Sequence, residues 1–112
     1  MIDLRPTVRD IAYALRVGTA ASTVAARFHR TLAQAIATAC RYARDAGAPN
    51  TVVLTGSCFQ NRLLTELTLA ELLPCGFEVL RHRRVPANDG GLALGQAAIA
   101  AYQRATAVAT IA

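Results

Sequence analysis

The chain has 112 residues and a formal net charge of +5, and all 12 of its basic residues are arginine. This length allows one domain with a modest core. The three cysteines are widely spaced and form no CxxC pair, which argues against a zinc site or a disulfide framework. No apolar run is long enough to span a membrane, so we expect a cytoplasmic protein with reduced thiols. Because no aromatic residues are interleaved with the arginines, we regard nucleic-acid binding as the weakest interpretation.

The first part of the sequence predicts two helices. Pro6 suits a first turn, and Gly18 ends the first helical pattern. A second helix is expected from about Thr19 to Ala46. The predicted apolar positions are Val8, Ile11, Ala12 and Leu15 in the first helix, and Val24, Phe28, Leu32, Ala35, Ile36 and Ala39 in the second.

The remaining elements alternate between strand and helix. "TVVLTG" is a β-branched run typical of a buried strand that ends at Gly56, and "FEVLRHR" predicts a second strand by alternation. The segment between them predicts a loop and a helix with Leu63, Leu64, Leu67 and Leu72 as apolar positions. A last helix begins near Asp89. We therefore expect a lobe over residues 1–106 and a flexible tail over residues 107–112.

The predicted order is α-α-β-α-β-α, an α/β arrangement with one parallel β-α-β unit. Two strands make a poor sheet on their own, and their apolar faces need cover. The sequence therefore indicates part of something larger, or a chain that completes its sheet with a partner.

Two loops follow the predicted strands and carry the candidate site. In α/β sheets, ligands bind where the carboxyl ends of strands feed helix N-termini. In "LTGSCFQN", Gly56 allows a close backbone approach, and Asn61 can either cap the next helix or bind a ligand. In "PANDGGLALGQ", Asp89 can either ligate a hard metal ion or cap the last helix.

The other reactive side chains are weaker candidates. His29 is expected to pack or cap beside Phe28, and His82 to be a solvated edge residue. Cys58 lies near a helix N-terminus, which could lower its pKa, but no histidine adjoins it in sequence. The alternative for Cys58 is a small buried apolar residue.

The signatures "FQNRLL" and "PANDGGLALGQ", in this order, resemble the C-terminal end of the hydrogenase maturation carbamoyltransferases of the HypF family. The segments "ARFHRTLA" and "IDLRPTVRDI" match the same family, so the resemblance covers nearly the whole chain. That part of the family is similar to the universal tRNA threonylcarbamoyladenosine synthase subunit. The resemblance therefore implies a partial actin/hexokinase-like, or ribonuclease-H-like, lobe.

The resemblance also implies a chemistry. ATP and carbamoyl phosphate yield a carbamoyl-adenylate, and the carbamoyl group passes to the C-terminal cysteine of a partner, HypE, for NiFe hydrogenase maturation. By motif position, the nucleotide-binding residues are Gly56, Ser57, Asn61 and Gly90. Asp89 is the implied ligand of a divalent metal ion, and no catalytic residue is assigned.

This chain departs from the family pattern in two ways. Ser57 stands where the family usually has a second glycine. The family's metal-binding histidines and its other catalytic regions lie upstream, and neither His29 nor His82 occupies their positions. We therefore expect a fragment or truncated homologue that carries a half-site and is inactive alone. The alternative is a non-enzymatic module that self-associates or docks on a larger lobe.

Overall fold

The structure, a computed structural model, describes the backbone of residues 3–111 and the side chains of residues 3–106. Its helices and strands follow the predicted order α-α-β-α-β-α, with three short 3-10 helices between them. The main elements are α1 (Arg5–Arg16), α2 (Ala21–Asp45), β1 (Thr51–Leu54), α3 (Arg62–Leu72), β2 (Glu78–Arg81) and α4 (Leu92–Ile111). The 3-10 helices are Ser57–Gln60, Leu73–Cys75 and Asp89–Gly91.

The two strands pair in parallel, as the β-α-β order predicts. Thr51 lies opposite Glu78, and Leu54 lies opposite Arg81. The Thr51 hydroxyl donates to Glu78 Oε2 at 2.8 Å, which supports this register. Both strands are shorter than expected, and they end at the same edge of the sheet. We call this edge, which lies beyond Leu54 and Arg81, the carboxyl edge.

The core lies between the sheet and the α2–α3 pair. Its buried residues are Ala37, Leu54, Leu72 and Phe77. The Arg44 guanidinium covers the Phe77 ring at 4.3 Å and donates to the Cys75 carbonyl at 2.9 Å. One long polar side chain thus closes the core and ties α2 to the turn before β2.

The buried faces of α1 and α2 differ in part from the prediction. Helix α2 buries Ala33 and Ala37 against α3, whereas Ala39 is exposed. Small side chains at positions 33 and 37 let the two helices approach closely, and hydropathy spacing does not reveal this preference. In α1, Val8 is 62% exposed and only Ala14 is buried. Helix α1 lies against α2 and half-buries Ile11, but most of its predicted apolar face stays exposed within the described residues.

Helix α4 extends away from the core. Its main packing is against the 3-10 turn Asp89–Gly91 that precedes it. Its large apolar residues remain exposed, with Leu92 at 63% and Tyr102 at 71%. The backbone is helical as far as Ile111, and the flexible tail at 107–112 stays a prediction. Among the described helices, none is both long and apolar enough to cross a membrane.

Thr68 provides a test of the α2–α3 packing. Its side chain is fully buried, and its hydroxyl has no hydrogen-bond partner among the described residues. An unsatisfied buried hydroxyl costs about 1–3 kcal/mol. We expect Thr68→Val, which keeps the shape, to raise the free energy of unfolding in urea by about 1 kcal/mol. Thr68→Ser keeps the hydroxyl and loses a methyl group, so it should lower this free energy by about 1 kcal/mol. A less stable Thr68→Val would contradict this packing.

Candidate functional site

One backbone hydrogen bond joins the two loops at the carboxyl edge. The Gly56 N–H, in the β1–α3 loop (residues 55–61), donates to the Ala87 carbonyl at 2.7 Å. Ala87 belongs to the β2–α4 loop (residues 82–91). Gly56 adopts a φ of 95°, a conformation that residues with a Cβ rarely adopt. The expected convergence of the two loops is therefore confirmed, and it depends on a glycine at position 56.

A cleft of about 520 Å³, which we call the edge cleft, lies at the carboxyl edge between the strand ends, the two loops and α3. The residues that line it do not include the predicted site residues Gly56, Ser57, Asn61, Asp89 and Gly90. A second loop contact supports the edge cleft, because His82 Nε2 lies 3.1 Å from the Thr55 hydroxyl oxygen. His82 is exposed, as predicted. The residues that line the edge cleft are Leu54, Phe59, Thr65, Arg81, His82, Arg83 and Ala87.

Asn61 caps α3, which is one of the two roles predicted for it. Its side-chain oxygen accepts a hydrogen bond from the Leu64 N–H at 3.0 Å. Its amide nitrogen lies 2.9 Å from His29 Nε2. His29 Nδ1 lies 2.8 Å from the Ala25 carbonyl, which can only accept, so Nδ1 carries the ring proton and Nε2 accepts from Asn61. A histidine on α2 therefore orients the Asn61 amide, a contact that the sequence does not reveal.

Asp89 does not cap α4, so the capping interpretation of this residue is wrong. Asn88 caps the 3-10 turn Asp89–Gly91 that leads into α4, and its side-chain oxygen accepts from the Gly90 N–H at 3.0 Å. Asp89 is exposed, and no hydrogen bond or ion pair engages its carboxylate within the described residues. Because Asn is as good an N-cap as Asp, the sequence alone also allows Asn88 as the capping residue. The Asp89 carboxylate remains free to bind a ligand.

The two glycines after Asp89 let the β2–α4 loop fold tightly on itself. A Cβ at Gly91 would lie 2.8 Å from the Pro86 carbonyl oxygen, closer than real Cβ contacts allow. A Cβ at Gly90 would lie 3.1 Å from the Asn88 side-chain oxygen that forms the cap. The loop that presents Asp89 therefore requires glycine at position 91, whereas a side chain at position 90 would need a small shift of the Asn88 side chain and the Pro86 ring.

The described residues do not form a complete metal site. No group of three or more His, Cys, Asp or Glu side chains comes together within them. Cys58 is exposed, so its interpretation as a buried apolar residue is wrong. Burial raises the pKa of the Cys40 thiol, which disfavours a nucleophilic role for it. Within the described residues, Asp89 thus stands as a single exposed carboxylate.

The capping assignment predicts different effects at adjacent positions. We expect Asn88→Ala to destabilise the 3-10 turn Asp89–Gly91, which leads into α4, by about 1 kcal/mol, because the Gly90 N–H loses its acceptor. Asp89→Ala should change this stability by less than about 0.5 kcal/mol, as is usual for exposed residues. Amide hydrogen exchange in the first turns of α4 measures both effects. Equal effects at the two positions would show that Asn88 is not the cap.

Comparisons with known proteins place these loops in a family. The family model described as "Carbamoyltransferase, Kae1-like Domain, second subdomain" matches residues 1–96. Carbamoyltransferase HypF of Rhodobacter capsulatus is 47% identical over 78% of this chain, and a HypF homolog of Cupriavidus necator is 37% identical over 97% of it.

A solved structure also matches. "Crystal structure of full-length HypF in the phosphate- and nucleotide-bound form" superimposes with a TM-score of 0.80 at 39% identity, over 83% of this chain. The chain spans 12% of that protein, 12% of the Rhodobacter relative and 28% of the Cupriavidus homolog. The chain therefore belongs to the HypF carbamoyltransferase family and corresponds to the second subdomain of its Kae1-like domain.

Proposed function

We propose that this chain forms the nucleotide- and metal-binding half-site of a HypF carbamoyltransferase. The complete enzyme uses ATP and carbamoyl phosphate to form carbamoyl-adenylate and then carbamoylates the C-terminal cysteine of HypE in NiFe hydrogenase maturation. The observation that carries the proposal is the hydrogen bond from Gly56 to Ala87. It brings the loops with the family's two signatures to one edge of the sheet.

Each assigned residue has a defined part in this half-site. Because the Gly56 N–H is engaged by Ala87, Gly56 acts through its backbone conformation, which turns the loop so that Ser57 is exposed beside the nucleotide. The Asn61 amide, oriented by His29, contacts the nucleotide with its second N–H. Gly90 allows the nucleotide to approach the β2–α4 loop. A related full-length HypF was solved in a phosphate- and nucleotide-bound form, which supports nucleotide binding by the complete enzyme.

Asp89 contributes a single ligand to the divalent metal ion. The described residues offer no further ligands near it, so the remaining ligands come from the rest of the enzyme. Bound metal would supply electrostatic stabilisation of negative charge on the substrate phosphates. The isolated chain should bind divalent metal weakly, since one carboxylate and water make a poor site.

The chain alone is expected to be inactive, because it holds only one wall of the site. Its share of the HypF relative, 12% of that length, agrees with a missing remainder of the enzyme. We further propose that the missing wall is the other part of an actin/hexokinase-like lobe. The uncovered two-stranded parallel sheet and the exposed apolar side chains of α1 and α4 support such a complement.

The alternative is a non-enzymatic module that self-associates through these uncovered faces. Helix α4 favours it, because Leu92, Leu94, Ile99 and Tyr102 are all exposed on one extended helix. Exposed apolar patches of this kind mark protein interaction sites. In this alternative a second copy of the chain covers α4 in place of the upstream lobe.

The carboxylate of Asp89 tests the enzymatic proposal. The corresponding segment of Rhodobacter capsulatus HypF is replaced by this chain, and ATP-dependent carbamoyl transfer to HypE is measured. We expect Asp89→Asn to lower transfer at least about 100-fold, because metal-assisted stabilisation supplies several kcal/mol. The melting temperature should change little, since the carboxylate makes no protein contact. Asp45→Asn, an exposed change at the end of α2, is the matched control and should leave transfer intact. Full activity of Asp89→Asn in an active chimera would contradict the ligand assignment.

The uncovered α4 face predicts self-association of the isolated chain. We expect a dimer or higher oligomer at micromolar concentration by light scattering. Ile99→Glu, which places a charge on the apolar face, should shift the population to monomer. Ala97→Glu, which adds the same charge at an exposed position on the opposite side of the helix from Ile99, should have a smaller effect. A monodisperse monomer of the unsubstituted chain would count against a self-associating module.

A further inference from the structure

We propose that the edge cleft binds a phosphoryl anion through Arg81 and Arg83. This inference rests on the proposed function, because it assigns a phosphate-binding role to residues outside the family's signature motifs. The ligand is the phosphoryl group of a nucleotide or of a small free phosphate compound. Both sources present the same chemistry, a multiply charged group of oxygen acceptors.

The strand register places Arg81 in the lining of this cleft. Arg81 is the last residue of β2 and lies opposite the buried Leu54. Arg83 follows two residues later and lines the same cleft, and both arginines are exposed to solvent. Phe59 and Leu54 give the cleft an apolar part of its lining. A volume of about 520 Å³ is within the range of small-ligand sites, so it accommodates a phosphate ester.

The charge of the edge cleft is uncompensated. Its lining includes two arginines and a histidine but no Asp or Glu. Within the described side chains, neither Arg81 nor Arg83 forms an ion pair or hydrogen bond. In contrast, Arg5 pairs with Asp3 at 2.8 Å, and Arg62 pairs with Glu66 at 2.7 Å. Two unpaired guanidinium groups in a concave site suit a phosphoryl group, which each can bind through two parallel hydrogen bonds.

The other polar groups of the cleft are already engaged. The Thr65 hydroxyl lies 3.0 Å from both the Phe59 and Asn61 carbonyls, to which it can donate. His82 Nε2 contacts the Thr55 hydroxyl. The arginines therefore carry the recognition, and the engaged groups fix the walls. Because Thr65 contacts Asn61, an anion here lies beside the nucleotide loop of the proposed half-site.

The test is a calorimetric titration of the chain with inorganic phosphate, pyrophosphate and AMP at constant low ionic strength. We expect saturable binding at one site. Arg81→Gln and Arg83→Gln should each weaken it about tenfold, since a charge-assisted hydrogen bond commonly contributes this much or more. Arg104→Gln, an exposed change on α4, is the matched control and should leave the affinity unchanged. Stronger binding of AMP than of pyrophosphate identifies a nucleotide as the source, and the reverse identifies a free phosphate compound.

Three results would overturn the inference. The first is an unchanged affinity in both cleft variants with melting curves like that of the unsubstituted chain. The second is an equal loss of affinity in Arg104→Gln, and the third is a much higher affinity for a single-stranded oligonucleotide. In the last two cases diffuse positive charge explains the binding. If either cleft variant misfolds, the other carries the test.

The chimera separates this inference from the proposed function. If the chimera is active but the isolated chain shows no phosphate binding that depends on Arg81 or Arg83, the proposed function stands and the cleft assignment is wrong. If the isolated chain binds phosphate through Arg81 or Arg83 but the chimera is inactive, the cleft assignment stands and the proposed function is wrong.

Discussion

The candidate site depends on the hydrogen bond from the Gly56 N–H to the Ala87 carbonyl, 2.7 Å long. Each loop alone is an ordinary strand–turn–helix connection with an asparagine cap, Asn61 in one and Asn88 in the other. This hydrogen bond holds the two loops together, so that they form one continuous surface. It needs the positive φ of Gly56. The requirement for glycine is conformational rather than a matter of space, since nothing lies within 4 Å of the position that a Cβ would occupy.

The helices of the chain cover its apolar surfaces only in part. Helices α2 and α3 bury Ala33, Ala37 and Leu72 almost completely and hold the sheet from one side. Helix α4, in contrast, projects from the core, and the chain reaches 69 Å in its longest dimension. Both the enzymatic proposal and its alternative begin from this asymmetry. They differ in what covers the exposed faces, either the remainder of a longer enzyme or a second copy.

The sequence predicts the order of elements, the parallel strands and the meeting of the two loops, because strand and helix periodicity and capping residues are local signals. The sequence predicts the buried face of α2 wrongly in part. Ala33, Ala37 and Ala39 look alike in an alanine-rich helix, and only the approach of α3 distinguishes the buried ones from the exposed one. The contact of His29 with Asn61 spans 32 positions and has no local signature. The sequence leaves Asp89 as a possible cap of the last helix, whereas Asn88 caps the 3-10 turn that leads into it, because both residue types are good caps and only the geometry of the turn selects one.

In the proposed half-site, the β1–α3 and β2–α4 loops bind one nucleotide together. Hydrogen exchange of the HypF chimera, measured with and without ATP, tests this arrangement. We expect amides in residues 55–61 and in residues 88–91 to gain protection together when ATP is present. Protection confined to one loop, or found only outside both while ATP is bound, would show that the two loops do not form one nucleotide site.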